Sequence, residues 1–244
     1  MTPENIKNIK KMNAKELQKK LKNTTDEGMQ IFFLTELGKF SKGPTVQETL
    51  LRYTESPSVA LRSTAFDALI KNGNKEVISA AIKHLDDEYK VVIRCIELLG
   101  FHCVVNTIPL LKSLMDSPNK WIRFYAADNL GDMNDDSLIS FLSTQLEGEI
   151  EDIVRSGCYS GIIKLVEYEE DIPFWIGKMG ELLMNTKDPD AAYVTINSLT
   201  DFADAPFSKQ IVTILQSRLD IEEDKKLSRL LEWSLACIEQ WEKL

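Results

Sequence analysis

A chain of 244 residues with 43% hydrophobic and 27% charged side chains is long enough to bury a substantial core, which excludes a disordered chain, a collagen-like fibre and a small disulfide scaffold. Only 11 glycines and 8 prolines interrupt it, so helices with short connections are expected. The net charge of −9 is unevenly placed: residues 1–24 carry seven lysines against Glu4 and Glu16, a net of +5, whereas from Glu147 onward ten basic residues face twenty acidic ones.

In chain order, apolar spacing predicts helices over 3–11 and 14–22. Thr2-Pro3 opens the first, Asn13 and Glu16 match a capping box for the second, and Ile6, Ile9, Leu17 and Leu21 form an apolar stripe. Further helices follow over 26–40, 45–54, 57–71, 74–85, 88–99, 104–115, 118–130 and 135–146, then over 150–164, 171–185, 189–202, 206–219 and 223–243. The last has Leu227, Leu230, Leu231, Leu235 and Ile238 on one face, with Trp233 and Trp241 as added bulk, and is expected to seal the core. The segment Glu167 to Asp171 separates regular from looser repeats.

Punctuation reveals the repeat. Ser56-Pro57-Ser58-Val59-Ala60-Leu61-Arg62 recurs as Ser117-Pro118-Asn119-Lys120-Trp121-Ile122-Arg123, and Asp188-Pro189 begins a looser copy. An oxygen-bearing side chain followed by Pro is a helix start. Asp67-Ala68-Leu69, Glu97-Leu98-Leu99 and Asp128-Asn129-Leu130 recur at a period of about 31, which fits a helical hairpin per repeat. Glycines after Glu36-Leu37, Leu98-Leu99 and Asn129-Leu130 are expected to close helices in the left-handed conformation. A hairpin cannot cover its own apolar face, so hairpins must stack.

These motifs, clearest from Asp116-Ser117-Pro118 to Leu130-Gly131, resemble HEAT repeats of the short kind found in phycobilisome-lyase-like proteins. The resemblance covers about residues 25–220. It implies an all-α fold, a right-handed α-α superhelix of stacked antiparallel helix pairs. The expected organisation is a single solenoid domain over 1–244, with a Lys-rich cap at 1–24, repeats over 25–220 and a capping helix at 221–244. Family likeness of this kind fixes a fold and names no site.

Two enzymatic branches of similar fold are tested by residue content. A di-iron hydroxylase needs repeated His-Glu pairs, and this chain has only His84 and His102. An alkylpurine DNA glycosylase resembles the scaffold and would use Trp121 and Asp128, but the acidic body opposes a DNA groove. His102 beside Cys103 lacks an orienting carboxylate, and Cys95, Cys103, Cys158 and Cys237 form no Cys-x-x-Cys pair, so neither a catalytic residue nor a metal or other cofactor is assigned.

Binding candidates remain. Asp67, Glu97 and Asp128 form an acidic column if hairpins stack in register; Arg62, Arg94 and Arg123 are their expected ion partners, paired between repeats rather than within one helix. Trp121, with Phe124, Tyr125, Lys120 and Arg123, is the aromatic-basic cluster. In HEAT-type arrays the second helix of each hairpin lines the concave face, which, with 74–85, 104–115 and their successors taken as second helices, nominates Lys83, Lys112, Gln145, Lys178 and Glu181, with Gln210 and Gln216. The expected function is a non-enzymatic protein-protein scaffold or adaptor, in its sharpest form an inhibitor or immunity-type binder of a basic partner. The expected setting is a cytoplasmic monomer without membrane or nucleic-acid contact, and the alternative is the glycosylase-like enzyme.

Overall fold

The computed structural model describes residues 7, 9–166, 169–203 and 206–241, and every regular element among them is helical. The expected helix over 3–11 and the Thr2-Pro3 start lie largely outside the described residues, as do Glu167 and Tyr168. Contacts divide the chain into two compact units, up to Thr107 and from Ile108.

Unit 1 contains α1 (Ala14–Lys22), α2 (Glu27–Leu37), α3 (Pro44–Thr54), α4 (Val59–Leu69), α5 (Lys75–Lys83) and α6 (Tyr89–Phe101). Unit 2 contains α7 (Ile108–Leu114), α8 (Lys120–Leu130), α9 (Ser137–Gly148), α10 (Asp152–Leu165), α11 (Ile172–Asn185), α12 (Pro189–Asp201), α13 (Ser208–Leu219) and α14 (Lys225–Trp241). Asn13 and Glu16 form the capping box of α1, each side chain meeting the other's backbone amide. In unit 1, Leu34, Leu50, Phe66, Leu69, Val77 and Leu99 are buried in one core; in unit 2, Ile176, Leu183, Ile196, Leu215 and Leu231 are. Each such side chain contributes about 1.5–3 kcal/mol.

The pairing of helices differs in phase from the sequence expectation. The closely packed hairpins are α1/α2, α3/α4, α5/α6, α7/α8, α9/α10 and α13/α14, while α11 packs against both its hairpin partner α12 and, more extensively, α10. The helices that follow Ser-Pro are therefore the second members of their hairpins, and these second members, α2, α4 and α6 in unit 1 and α8, α10 and α12 in unit 2, pack against one another in a row. The connections within these hairpins, for example 149–151 and 186–188, are on the whole shorter than those between them, for example 131–136 and 166–171.

The repeat motif has a mechanical reason. Ser56 and Ser117 do not cap; their hydroxyls accept from the amides of Ser58 and Asn119 at 3.2 Å, and Ser58 and Asn119 are the N-caps. The matching turn in the looser copy is Thr186 accepting from Asp188, which caps α12 with Pro189 in its first turn. Arg62 then donates to the Ser56 carbonyl at 2.8 Å and forks onto Asp87, just before α6. Arg123 repeats this on the Ser117 carbonyl and on Glu149, just before α10. Each Arg ties its own turn to the start of the next repeat's second helix, by charge-assisted bonds. The looser copy has Ala192 at this position, and Arg218 from α13 reaches the carbonyls of Leu183 and Thr186 instead.

The glycines do not close helices as expected. Gly38 and Gly131 are right-handed, and the positive φ angles among the described residues belong to Cys103 and Asn134. Close approach explains them: a Cβ on Gly131 would lie 2.6 Å from Gly161 Cα, and one on Gly161 would lie 2.4 Å from the Ala127 carbonyl oxygen. With Gly157 against Phe124, these residues let α8 lie directly on α10, whose residues from Ile153 to Leu165 are mostly buried. At the end of the chain Leu227, Leu231 and Ile238 enter the core, whereas Trp233 and Trp241 are exposed and add nothing to it.

Candidate protein-interaction site

Gly157 and Gly161 let α10 lie close against α8 in the second-helix row of unit 2. Lys120 on α8 reaches across to Asp188 at the start of α12, at 3.0 Å, although 68 residues separate them. On one face of this row, called the inner face, α8, α10 and α12 line a pocket of about 270 Å³. Its walls are aromatic, from Phe124, Tyr125, Tyr193 and Phe202, and its polar groups include Asp128, Ser160, Lys164 and Asp201.

The charges are linked. Lys164 lies 3.0 Å from Asp128 and 3.2 Å from Asp132, and Ser160 donates to Asp128 at 2.5 Å. Burial opposes charge on Lys164, but Asp128 and Asp132 overcome it and raise its affinity for the proton. Burial likewise holds the Asp132 carboxyl above the usual range against the pull of Lys164. Asp201 is also raised, first by desolvation and then by the Asp128 carboxylate, and it forms no ion pair with a described residue. Three carboxylates around one ammonium leave the region formally at −2. Aromatic walls with surplus carboxylate suit a cation, which gains from both ring faces and charge.

Of the expected acidic column, Asp128 belongs to this pocket. In unit 1 the corresponding acids are answered by Arg94, which is 2.5 Å from Glu97 in the same helix and 3.9 Å from Asp67 in the preceding repeat. Arg62 and Arg123 pair between repeats as expected, with Asp87 and Glu149 rather than with the column.

The nominated contact residues lie elsewhere. The shifted hairpin phase puts Lys83 on α5, Lys112 on α7, Gln145 on α9, and Lys178 and Glu181 on α11, all first members of their hairpins, away from the inner row. Lys83 is exposed and bound to Glu55 at 2.8 Å; Lys112 sits 4.8 Å above the Phe141 ring; Gln145 is half-buried. Lys178 and Glu181 pair with each other at 2.9 Å, and Glu181 joins Gln210 on a groove of about 510 Å³ between α11 and α13, while Gln216 bonds Asp220. Trp121 is half-buried and stands edge-on to Phe124, so it supports a pocket wall without lining it. Lys164, Tyr193 and Asp201 carry no periodic signal in the sequence, because the acidic column gives way at Ser160.

Both histidines are engaged, and two of the four free cysteines, Cys95 and Cys158, are buried. His84 is buried between Asp87 at 2.9 Å and Glu55 at 3.2 Å, and His102 bonds the Ile70 carbonyl. Burial pushes the Cys158 thiol up to about 12 and raises Cys95 as well. Among the described residues no cluster of three His, Cys, Asp or Glu suits a metal ion, and no helix is long and apolar enough to cross a membrane.

No family model matches the sequence, and no curated protein is significantly similar to it. Among solved structures, the chain is similar to the complex of CpcE and CpcF of phycocyanin lyase from Nostoc sp. PCC7120, with a TM-score of 0.65 and 15% identity over 93% of this chain and 95% of that chain. An engineered protein superposes with a TM-score of 0.44 and 16% identity over 96% of this chain and 73% of that one. The paired helices, the Arg-tied turns and the likeness to the lyase together establish that this chain has the all-α, HEAT-like repeat fold of the phycobilisome-lyase type.

Proposed function

We propose that the protein is a binding module that holds a basic segment of another protein, with an Arg or Lys side chain entering the inner pocket of unit 2. The observation that carries this reading is the carboxylate of Asp201, in excess beside the Asp128–Lys164 pair, together with the aromatic walls of Tyr125 and Tyr193. A preformed surface of packed helices loses little ordering entropy on binding. The similar solved structure is itself a complex of two proteins, which favours a protein as the ligand. The sharper form is a cytoplasmic inhibitor or adaptor that recognises a basic partner, its association steered by the acidic half of the chain.

Binding of a fluorescent Arg-rich peptide, followed by anisotropy, tests the reading. Asp201→Asn and Tyr193→Ala should each weaken it by about tenfold, equivalent to about 1.4 kcal/mol. The glycosylase-like alternative would place a flipped base in the same aromatic-acid pocket, but a local excess of carboxylate repels the phosphates that must accompany it. Base release from alkylated DNA, lost in Asp128→Asn, would overturn the proposal.

A further inference from the structure

We propose that unit 1 carries a second docking site, the groove between α1 and α3, and that it takes an acidic segment of a partner protein. The proposal shares with the proposed function only the premise that the ligand is a protein. The groove has a volume of about 890 Å³, and Lys15, Lys19 and Lys22 line it from α1, facing Arg52 and Tyr53 on α3. Lys15, Lys19, Lys22 and Arg52 are exposed, and none forms an ion pair with a described residue. The one carboxylate in the lining, Glu55, is already engaged by Lys83 and His84. Four cations therefore face one cleft without a carboxylate of their own, whereas the usual arrangement in this fold ties each Arg to an acid.

The cleft is held in place. Gln18 donates from α1 to the Thr45 carbonyl and to the Thr49 hydroxyl of α3, both at 2.8 Å, and so fixes the spacing of the two helices. The lining also includes apolar surface from Leu21, Tyr53 and Pro57. This composition fits a short stretch of Glu or Asp that also presents an apolar side chain.

Charge decides between a peptide and a longer polyanion. The chain carries −9 overall but +5 over residues 1–24. A short acidic segment within the groove feels the four nearby cations, because charges farther than about 8–10 Å are screened at physiological salt. Outside residues 1–24 the rest of unit 1, over 25–107, carries eleven acidic residues against nine basic ones, so a longer polyanion gains no further attraction beyond the groove.

The test is anisotropy of a short fluorescein-labelled peptide rich in Glu and Leu, with its Gln-for-Glu counterpart as the blank. Lys15→Gln/Lys19→Gln/Arg52→Gln removes three groove cations at exposed positions; Lys209→Gln/Lys225→Gln/Lys226→Gln makes the same charge change at exposed sites of unit 2. The groove variant should weaken binding by about tenfold or more and the unit 2 variant by less than about twofold. Equal losses in the two variants, absence of binding by the wild type, or preference for a single-stranded oligonucleotide or phosphatidylserine vesicles over the peptide would each overturn the proposal. Asp201→Asn should leave acidic-peptide binding unchanged while abolishing preference for the Arg-rich peptide, so failure of either site is read separately.

Discussion

The two units use one repeat to opposite electrostatic ends. In unit 2 the second-helix row is drawn tight by Gly131, Gly157 and Gly161, and its inner face holds a narrow pocket with more carboxylate than ammonium. In unit 1 the acids of the corresponding row are met by Arg94, and unanswered charge lies instead on the first-helix side, where lysines and Arg52 border a wide groove. The Arg-tied turn is common to both units. On the proposed reading, binding character resides in which row keeps unpaired charge, and the shared scaffold is indifferent to its sign.

The largest effect expected from breaking this contrast is on packing. Gly161→Val places a side chain where even a Cβ would lie 2.4 Å from the Ala127 carbonyl, and should destabilise unit 2 by about 3 kcal/mol. Gly38→Ala in unit 1 meets Ala68 at 3.1 Å and should cost only about 1 kcal/mol, while Gly148→Ala, with open space around it, should be nearly neutral; thermal unfolding distinguishes the three.

Next in size are the shared clamps. Arg62→Met and Arg123→Met should each cost about 1–3 kcal/mol in urea unfolding, because each strands a partly buried carboxylate. Asp87 is opposed by burial but brought down to about 2 by Arg62, His84 and the Glu88 amide. A depressed carboxylate stabilises the fold above its ordinary value of 3.8, and that contribution is lost as pH falls from 3.8 towards about 2. The difference in stability between wild type and Arg62→Met should therefore narrow over that interval and stay constant above it.

Smaller effects sharpen the functional half of the contrast. Asp201→Asn should weaken an Arg-rich peptide by about tenfold while changing stability by less than about 0.5 kcal/mol, since Asp201 forms no ion pair with a described residue and its surface is largely open although desolvation raises its carboxyl. Asp132 and Asp201 both hold protons more readily than ordinary carboxylates. A bound cation favours their charged forms, so binding should weaken on acidification through those raised values and recover at neutral pH, with Asp201→Asn flattening the profile.

Much of the scaffold was legible in the sequence, because Ser-Pro, Arg and Leu-Gly at a fixed period each answer a local need. Their physical roles were less legible. Gly131 reads as a helix stop until Gly161 is placed against it, and Ser117 reads as a cap until Asn119 is seen to take that role. Hairpin phase depends on which neighbouring helix packs more closely, a tertiary quantity, and a phase shifted by one helix places Lys83, Lys112 and Gln145 on the first-helix row, off the pocket that Asp128 lines. Asp128 is legible because it belongs to a periodic column; Tyr193 and Asp201 come from the looser repeat and meet it only where α8, α10 and α12 pack.

The most direct measurement is a binding matrix by anisotropy, with the Arg-rich and the Glu-rich peptide each titrated into wild type, Asp201→Asn and Lys15→Gln/Lys19→Gln/Arg52→Gln. The account predicts that each variant loses about tenfold for one peptide and retains the other. Parallel losses for both peptides in both variants, or no loss in either, would contradict the assignment of opposite binding characters to the two units.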